Sequence, residues 1–248
     1  MKQANNRSEH QPKQGAVERP IPEEAELARA CGKTIALVLA TDFGATPLKV
    51  TFESEDEKPV ICEDPKNGEK KTPRPLQRFR GTTVTAIVAA RALEARFARV
   101  YVLAGGAPEE HRALEEVVSS DIAAARKENT PHQSGREVEF IPFDADAAYR
   151  ATLDACGFTL YDVPKGVLEY AALALEDNPD ADSVMLLGCD QVRITPAHLL
   201  EVCRTFRDDP TLDVVASWIQ WYRRTPMLIS RRFLENLGAS GLCKPDPN

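Results

Sequence analysis

The chain has 248 residues, 43% of them hydrophobic, and carries 31 Lys and Arg against 38 Asp and Glu for a net charge of −7. That length and apolar content suit one α/β domain with a real core, and a pI near 5.3 argues against a general nucleic-acid binder, though not against a small anionic ligand held by a local basic patch. No apolar run approaches a membrane span, and the polar start from Met1 to Arg19 lacks the apolar centre of a signal peptide, so a cytoplasmic protein with no membrane partner is expected.

Residues 1–22 are rich in Gln, Asn, Glu, Arg and Pro and read as a disordered tail. Pro22 to Ala30 has the composition of a short helix. Thr34 to Ala40 is an unbroken apolar run of strand length, the pattern of a strand buried on both faces. A loop insertion at about 42–73 comes next, with charged stretches at Glu53 to Lys58 and Pro65 to Lys71. Within it Asn67-Gly68 is a tight-turn signal and Val60-Ile61-Cys62 reads as one arm of a hairpin. A loop this long inside a compact domain is usually functional or disordered.

Order returns at Pro75. Thr82-Thr83 are placed to cap a helix whose apolar positions Val84, Ile87, Val88, Ala90 and Leu93 follow helical spacing. Arg99 to Gly105 reads as a strand, and Pro108 opens a helix to about Arg126 with Leu114, Val117, Val118 and Ile122 on one face. Glu137 to Phe143 is a third strand, followed by helical pieces at about 145–155 and 164–176. Val184 to Gly188 is a buried strand. Thr195 caps a helix with Pro196 at its first position and Leu199, Leu200, Cys203 and Phe206 facing inward. Leu212 to Trp218 is a further strand, Pro226 to Ile229 a short one, and Arg231 to Leu237 a last helix. Alternating strands and helices predict a single Rossmann-like α/β domain of three layers with a mostly parallel sheet, over residues 23–241, and a flexible tail at 242–248.

The six cysteines are scattered with no C-x-x-C pair, so free thiols are expected rather than a zinc or iron–sulfur site. The four histidines are isolated and read as surface or boundary residues. No P-loop, no G-x-G-x-x-G fingerprint and no G-x-S-x-G elbow is present. The sharpest signal is Val184-Met185-Leu186-Leu187-Gly188-Cys189-Asp190-Gln191, an apolar run that ends abruptly in an acid. Such a carboxylate falls at the carboxyl end of its strand, the edge where open α/β sheets bind ligands. It needs a partner there, either a metal ion or a cationic side chain. Without a ligand, Asp190 would cap a loop or face a helix dipole. Gly44 after the first strand and Gly105-Gly106 after the second are weak phosphate-turn signals.

Three stretches share a family pattern. Pro75-Leu76-Gln77-Arg78-Phe79-Arg80-Gly81-Thr82-Thr83-Val84 resembles a K-P-L-L-P-F-x-G-x-T-V segment. Leu186 to Val192 followed by Thr195-Pro196 resembles L-x-x-D-x-P-x-x-x-P-x, and Arg223 to Ile229 is similar to R-G-H-P-V-L-F. Together they resemble the NTP-transferase family of the molybdenum cofactor cytidylyltransferases and guanylyltransferases, with a sheet of the nucleotide-diphospho-sugar transferase type. The resemblance implies a reaction in which the phosphate of an acceptor such as molybdopterin attacks the α-phosphorus of CTP or GTP and pyrophosphate leaves. It also implies a molybdoenzyme as a partner of the product. Asp190 is then the ligand of a Mg²⁺ ion bridging the phosphates.

The signature loop of that family, approximately L-A-A-G-x-G-x-R-M-G-x-x-K, is rebuilt here. Ala40 fits it, Thr41 and Asp42 replace small residues, and Gly44 is the one glycine close by. Its lysine has two counterparts, Lys49 at shortened spacing and Arg74 immediately before the P-L segment; the continuous downstream match favours Arg74. The resemblance thus gives Asp190 and Arg74 as catalytic, and Ala40, Thr41, Gly44, Lys49 and Lys71 as nucleotide-binding. Arg223 and Arg224, joined by Arg231 and Arg232, are candidates for an anionic co-substrate, the bland alternative being a solvated basic face. Thr225 stands where the pattern has histidine, and no later acidic element follows. Two other readings stay open: a nucleotide-binding accessory or maturation protein of the same fold without turnover, and a GT-A-type glycosyltransferase. The last would normally show a D-x-D pair, which Cys189-Asp190-Gln191 does not supply.

Overall fold

The computed structural model describes residues 22–41, 48–50, 60–61, 72–129, 137–143, 165–219 and 222–239. The first strand, β1 (Thr34–Ala40), stands in the middle of a six-stranded sheet. On one side it pairs in parallel with β6 (Arg99–Ala104), which pairs in parallel with β7 (Val138–Pro142). On the other side it pairs in parallel with β8 (Ser183–Gly188). Beyond β8 lie β10 (Tyr222–Ser230) and the edge strand β9 (Val214–Ile219), and β10 runs antiparallel to both of its neighbours. The order is therefore β7-β6-β1-β8-β10-β9. This is the mostly parallel α/β architecture expected from the alternation of elements.

The apolar runs serve two cores at once because successive side chains of a strand point to opposite faces. Ala36, Val38 and Ala40 of β1, with Met185 and Leu187 of β8, pack into the larger core. That core is closed by α1 (Glu24–Cys31), α2 (Val84–Glu94), α3 (Pro108–Asn129) and α5 (Pro196–Asp208). Ile35, Leu37, Val184 and Leu186 face the other way, against α4 (Lys165–Glu176) and α6 (Arg231–Ala239). These layers bury nearly every side chain of β1 and β8, which is why both lack the polar alternation of a one-sided strand.

Outside the sheet, β2 (Lys49–Val50) pairs antiparallel with β3 (Val60–Ile61), so the Val60-Ile61 arm has its partner inside the expected insertion. A one-turn 3₁₀ helix at Arg74–Leu76 leads to the short hairpin of β4 (Arg78–Phe79) and β5 (Thr82–Thr83). The hairpin turns through Arg80 and Gly81, both at positive φ (53° and 85°), as the two-residue turns that match strand twist require. Asp121 on α3 fastens the hairpin, accepting from the Thr83 backbone N–H at 2.9 Å and facing Arg78 Nη1 at 3.4 Å. The amide of buried Gln77 receives the Leu48 N–H at 2.8 Å and donates to the Thr72 carbonyl at 3.3 Å. One side chain thus gathers both ends of the excursion between residues 48 and 72.

Several expectations change. Thr83 stands at the N-cap of α2, but its side chain makes no capping bond; the turn before the helix is closed instead by Val84 N–H to the Gln77 carbonyl at 2.9 Å. Thr195 does cap α5, accepting from His198 N–H at 3.2 Å. The strand expected at Pro226–Ile229 begins earlier, at Tyr222, because its polar first residues pair with β9 alone. Ile87 and Ala90 of α2 are only half-buried, whereas Thr85, Ala86, Ala89 and Ala92 join the buried set; small residues let this helix lie close against the sheet. The tails at 1–21 and 240–248, the helical piece at 145–155, Asn67-Gly68 and the flanks of β2 and β3 lie outside the described residues. Among the described residues no helix is long and apolar enough to cross a membrane, and Cys31, Cys189 and Cys203 are buried free thiols.

Candidate functional site

The strand order fixes where a ligand crevice opens. From β1 the chain goes to β6 and β7 on one side and then returns to β8 on the other. Neighbouring parallel strands whose connections leave in opposite directions part at their carboxyl ends, and the gap is a switch point for ligands. Here the gap lies between the end of β1 and the end of β8, where Leu39 is in register with Gly188. Ala40 is fully buried as the last residue of β1, and Thr41 follows it half-buried at the rim. Across the gap stand Gly188, Cys189 and Asp190, with the Cys189 N–H reaching the Leu39 carbonyl at 3.3 Å.

Asp190 is held from beneath and from the side. A Cβ built on Gly188 would stand 3.0 Å from Asp190 Oδ1 and 3.2 Å from Thr225 Oγ1, so the bare Cα makes room for both. Gln191 turns back over the strand end. Its side-chain carbonyl accepts from Gly188 N–H at 2.9 Å, its amide donates to the Thr225 carbonyl, and its backbone N–H returns to the Gly188 carbonyl at 3.1 Å. Because β10 is antiparallel to β8, its early residues meet the carboxyl end of β8, which brings Thr225 beside Gly188.

The partner of Asp190 is Arg74. Its Nη1 lies 3.5 Å from Asp190 Oδ2, with the two side chains 27% and 36% exposed. The backbone at Arg74 is fixed on all sides: Leu76 N–H to Pro73 O at 2.9 Å, Gln77 N–H to Arg74 O at 3.1 Å, and Thr85 Oγ1–H to Pro75 O at 2.8 Å. A small apolar cluster of Leu48, Phe79, Val84 and Val192 joins this segment to the turn after Asp190. Of the two candidate counterparts of a loop lysine, Arg74 is thus the one described beside the acid. Lys49 lies in β2, opposite Ile61.

The remaining candidates separate. Gly44 and Lys71 fall outside the described residues. The backbones of Arg223 and Arg224 sit on β10 opposite Trp218 and Ser217, at the same end of the sheet as Asp190. Ser217 also bonds the ring of His198 at 3.1 Å. Arg231 and Arg232 do not share that end, and their place in a common anion patch is corrected by strand direction. Arg231 donates to the carbonyls of Leu175, Asn178 and Ala181, and Arg232 pairs with Asp213 at 2.6 Å, all at the opposite edge. Gln191, Gly188 and Thr225 were given no role from sequence; the amide directly after a strand-ending acid was their one visible signal.

Among the described residues no three His, Cys, Asp or Glu side chains converge on a metal position. Asp190 offers a hard, partly exposed carboxylate at the crevice. Mg²⁺ commonly takes one or two carboxylates and fills its octahedron with phosphate oxygens and water. Such a carboxylate fits an ion that shares its coordination with phosphate oxygens and water.

No family model matches the sequence, and no curated protein matches it. Solved structures of similar shape include Rv0371C of Mycobacterium tuberculosis H37Rv in complex with manganese, at 16% identity and a TM-score of 0.44, covering 86% of this chain and 76% of that one. The CMP:2-keto-3-deoxy-manno-octonic acid synthetase complexed with CTP aligns at 15% identity and 0.45, over 83% of this chain and 78% of that one. A nucleotidyl transferase from Methanothermobacter thermautotroptrophicus (Mth528) aligns at 18% and 0.43, over 87% and 78%. The chain's own strand order, not these likenesses, defines its fold.

Proposed function

We propose that the protein is a Mg²⁺-dependent nucleotidyltransferase, moving a nucleoside monophosphate from CTP or GTP to a phosphate-bearing small molecule and releasing pyrophosphate. One observation carries the reading. Of the three stretches that resemble the family, two bring one charged side chain each to the same place, Arg74 immediately before the first and Asp190 in the second, 3.5 Å apart at the switch-point edge. In this reading Asp190 holds the metal, which neutralises charge developing on the phosphates. Arg74 binds phosphate oxygens, where a planar guanidinium offers paired donors. Ala40, Thr41, Gly44, Lys49 and Lys71 border the nucleotide, and Arg223 and Arg224 face the acceptor. Molybdopterin as that acceptor and a molybdoenzyme as recipient rest on the sequence resemblance alone, and a cytoplasmic location rests on the hydropathy pattern of the sequence.

A second reading is a nucleotide-binding accessory protein without turnover. It is favoured by the arginine beside Asp190, which competes with a metal ion for the carboxylate. The test is pyrophosphate release with Mg²⁺ and each NTP, with and without molybdopterin. Release that needs both substrates and is lost in Asp190→Ala supports the transferase. Thermal stabilisation by nucleotide with no pyrophosphate supports the accessory protein. Turnover that survives Asp190→Ala removes Asp190 from the site.

A further inference from the structure

We propose that Arg74 locks Asp190 in the absence of phosphate, so that this edge takes a divalent ion already complexed to a polyphosphate rather than the free ion. The inference rests on the reading of Asp190 as a metal ligand and adds a condition to it. The pair joins two separately fixed segments. On one side, the Arg74 turn is pinned through Pro73, Pro75 and Gln77. On the other, Asp190 sits over the bare Cα of Gly188 under the Gln191 clamp. The fold therefore sets the Arg74 backbone where its guanidinium reaches the carboxylate, at 3.5 Å.

A free divalent ion approaching Asp190 meets a resident positive charge. Like charges a few ångströms apart in a half-buried site repel, and the ion gains one carboxylate in return. A polyphosphate changes both terms. It offers the guanidinium paired oxygen acceptors, and it carries the ion itself. As Arg74 moves to the phosphates, Asp190 is released to the metal. The coupling is reciprocal: the factor by which phosphate tightens metal binding equals the factor by which metal tightens phosphate binding.

Two binding measurements on the full chain test this without turnover. In the first, Mn²⁺ alone is titrated and the free ion followed by electron paramagnetic resonance. Arg74→Met binds Mn²⁺ about fivefold tighter than the unmodified protein, the scale of a partly exposed ion pair, and Asp190→Asn added to it abolishes the gain. In the second, inorganic triphosphate is titrated in EDTA. Asp190→Asn binds it tighter and Arg74→Met binds it more weakly than the unmodified protein. Equal Mn²⁺ affinity with and without Arg74, or triphosphate affinity unchanged or reduced by Asp190→Asn, overturns the lock. Should Arg74→Met fail to fold, the Asp190→Asn titration decides alone. A protein that passes both titrations yet releases no pyrophosphate from any NTP keeps the lock and loses the transferase reading. One that turns over through Asp190 but fails the titrations loses only the lock.

Discussion

Gly188 lies directly under Asp190: a methyl group on its Cα would press on the carboxylate at 3.0 Å and on the Thr225 hydroxyl at 3.2 Å. Gly188→Ala is therefore expected to fold, at a cost of about 1–2 kcal/mol for overpacking, while displacing the carboxylate. Thermal melting with and without Mg²⁺ and nucleotide checks it. The apo protein should lose a few degrees, and the ligand-induced stabilisation should fall much further than the apo stability does.

Gln191 closes the gap between β8 and β10. Gln191→Ala removes an acceptor from Gly188 N–H and a donor from the Thr225 carbonyl. The expected loss is about 1–3 kcal/mol, because both backbone groups are left in a part-buried place. Urea denaturation should show a lower midpoint at unchanged slope. Gln191→Glu should recover little of it, since a carboxylate oxygen would then face the Thr225 carbonyl.

At the opposite edge, Arg207 reaches the Ala30 carbonyl at 3.2 Å, Thr34 Oγ1 at 3.1 Å and Asp182 at 2.5 Å. Arg207→Met is expected to destabilise by about 1–3 kcal/mol, and to add to Gln191→Ala within a few tenths, because the two sites share no partner. A double mutant whose loss is far from the sum would reveal coupling through the sheet.

The thiol of Cys203 is pushed well above its ordinary value of 9.0, first by its hydrogen bond with Cys31 and then by burial. The unfolded chain thus gives up this proton before the folded one does. The stability this group contributes is intact below pH about 9 and declines as pH rises further. Peptide-resolved alkylation at neutral pH should label Cys31 and Cys203 only once denaturant is added.

The sequence betrayed those parts of the fold in which one residue pattern has one physical meaning. Unbroken apolar runs such as Thr34–Ala40 require cover on both faces, and β1 has the expected bounds while β8 starts one residue early. Asp190 was legible because an acid ending such a run must lie at an edge. Arg74 was legible only as the better of two alignments. The clamp was not: Gln191 and Thr225 meet because β10 reverses direction, and reversal leaves no mark in local periodicity. The same reversal carries Arg231 and Arg232 away from Arg223 and Arg224, which adjacency along the chain had joined.

Gln77 has a consequence for how this chain tolerates change. Its one buried amide holds Leu48 on one oxygen and Thr72 on its nitrogen, so the excursion between them starts and finishes at a shared staple. Lengthening a closed loop costs only about 0.6 kcal/mol for each doubling. Replacing the stretch between Leu48 and Thr72 by a short linker is therefore expected to leave Arg74 beside Asp190 while removing Lys49 and Lys71, which separates the part these lysines play from that of the acid and its arginine.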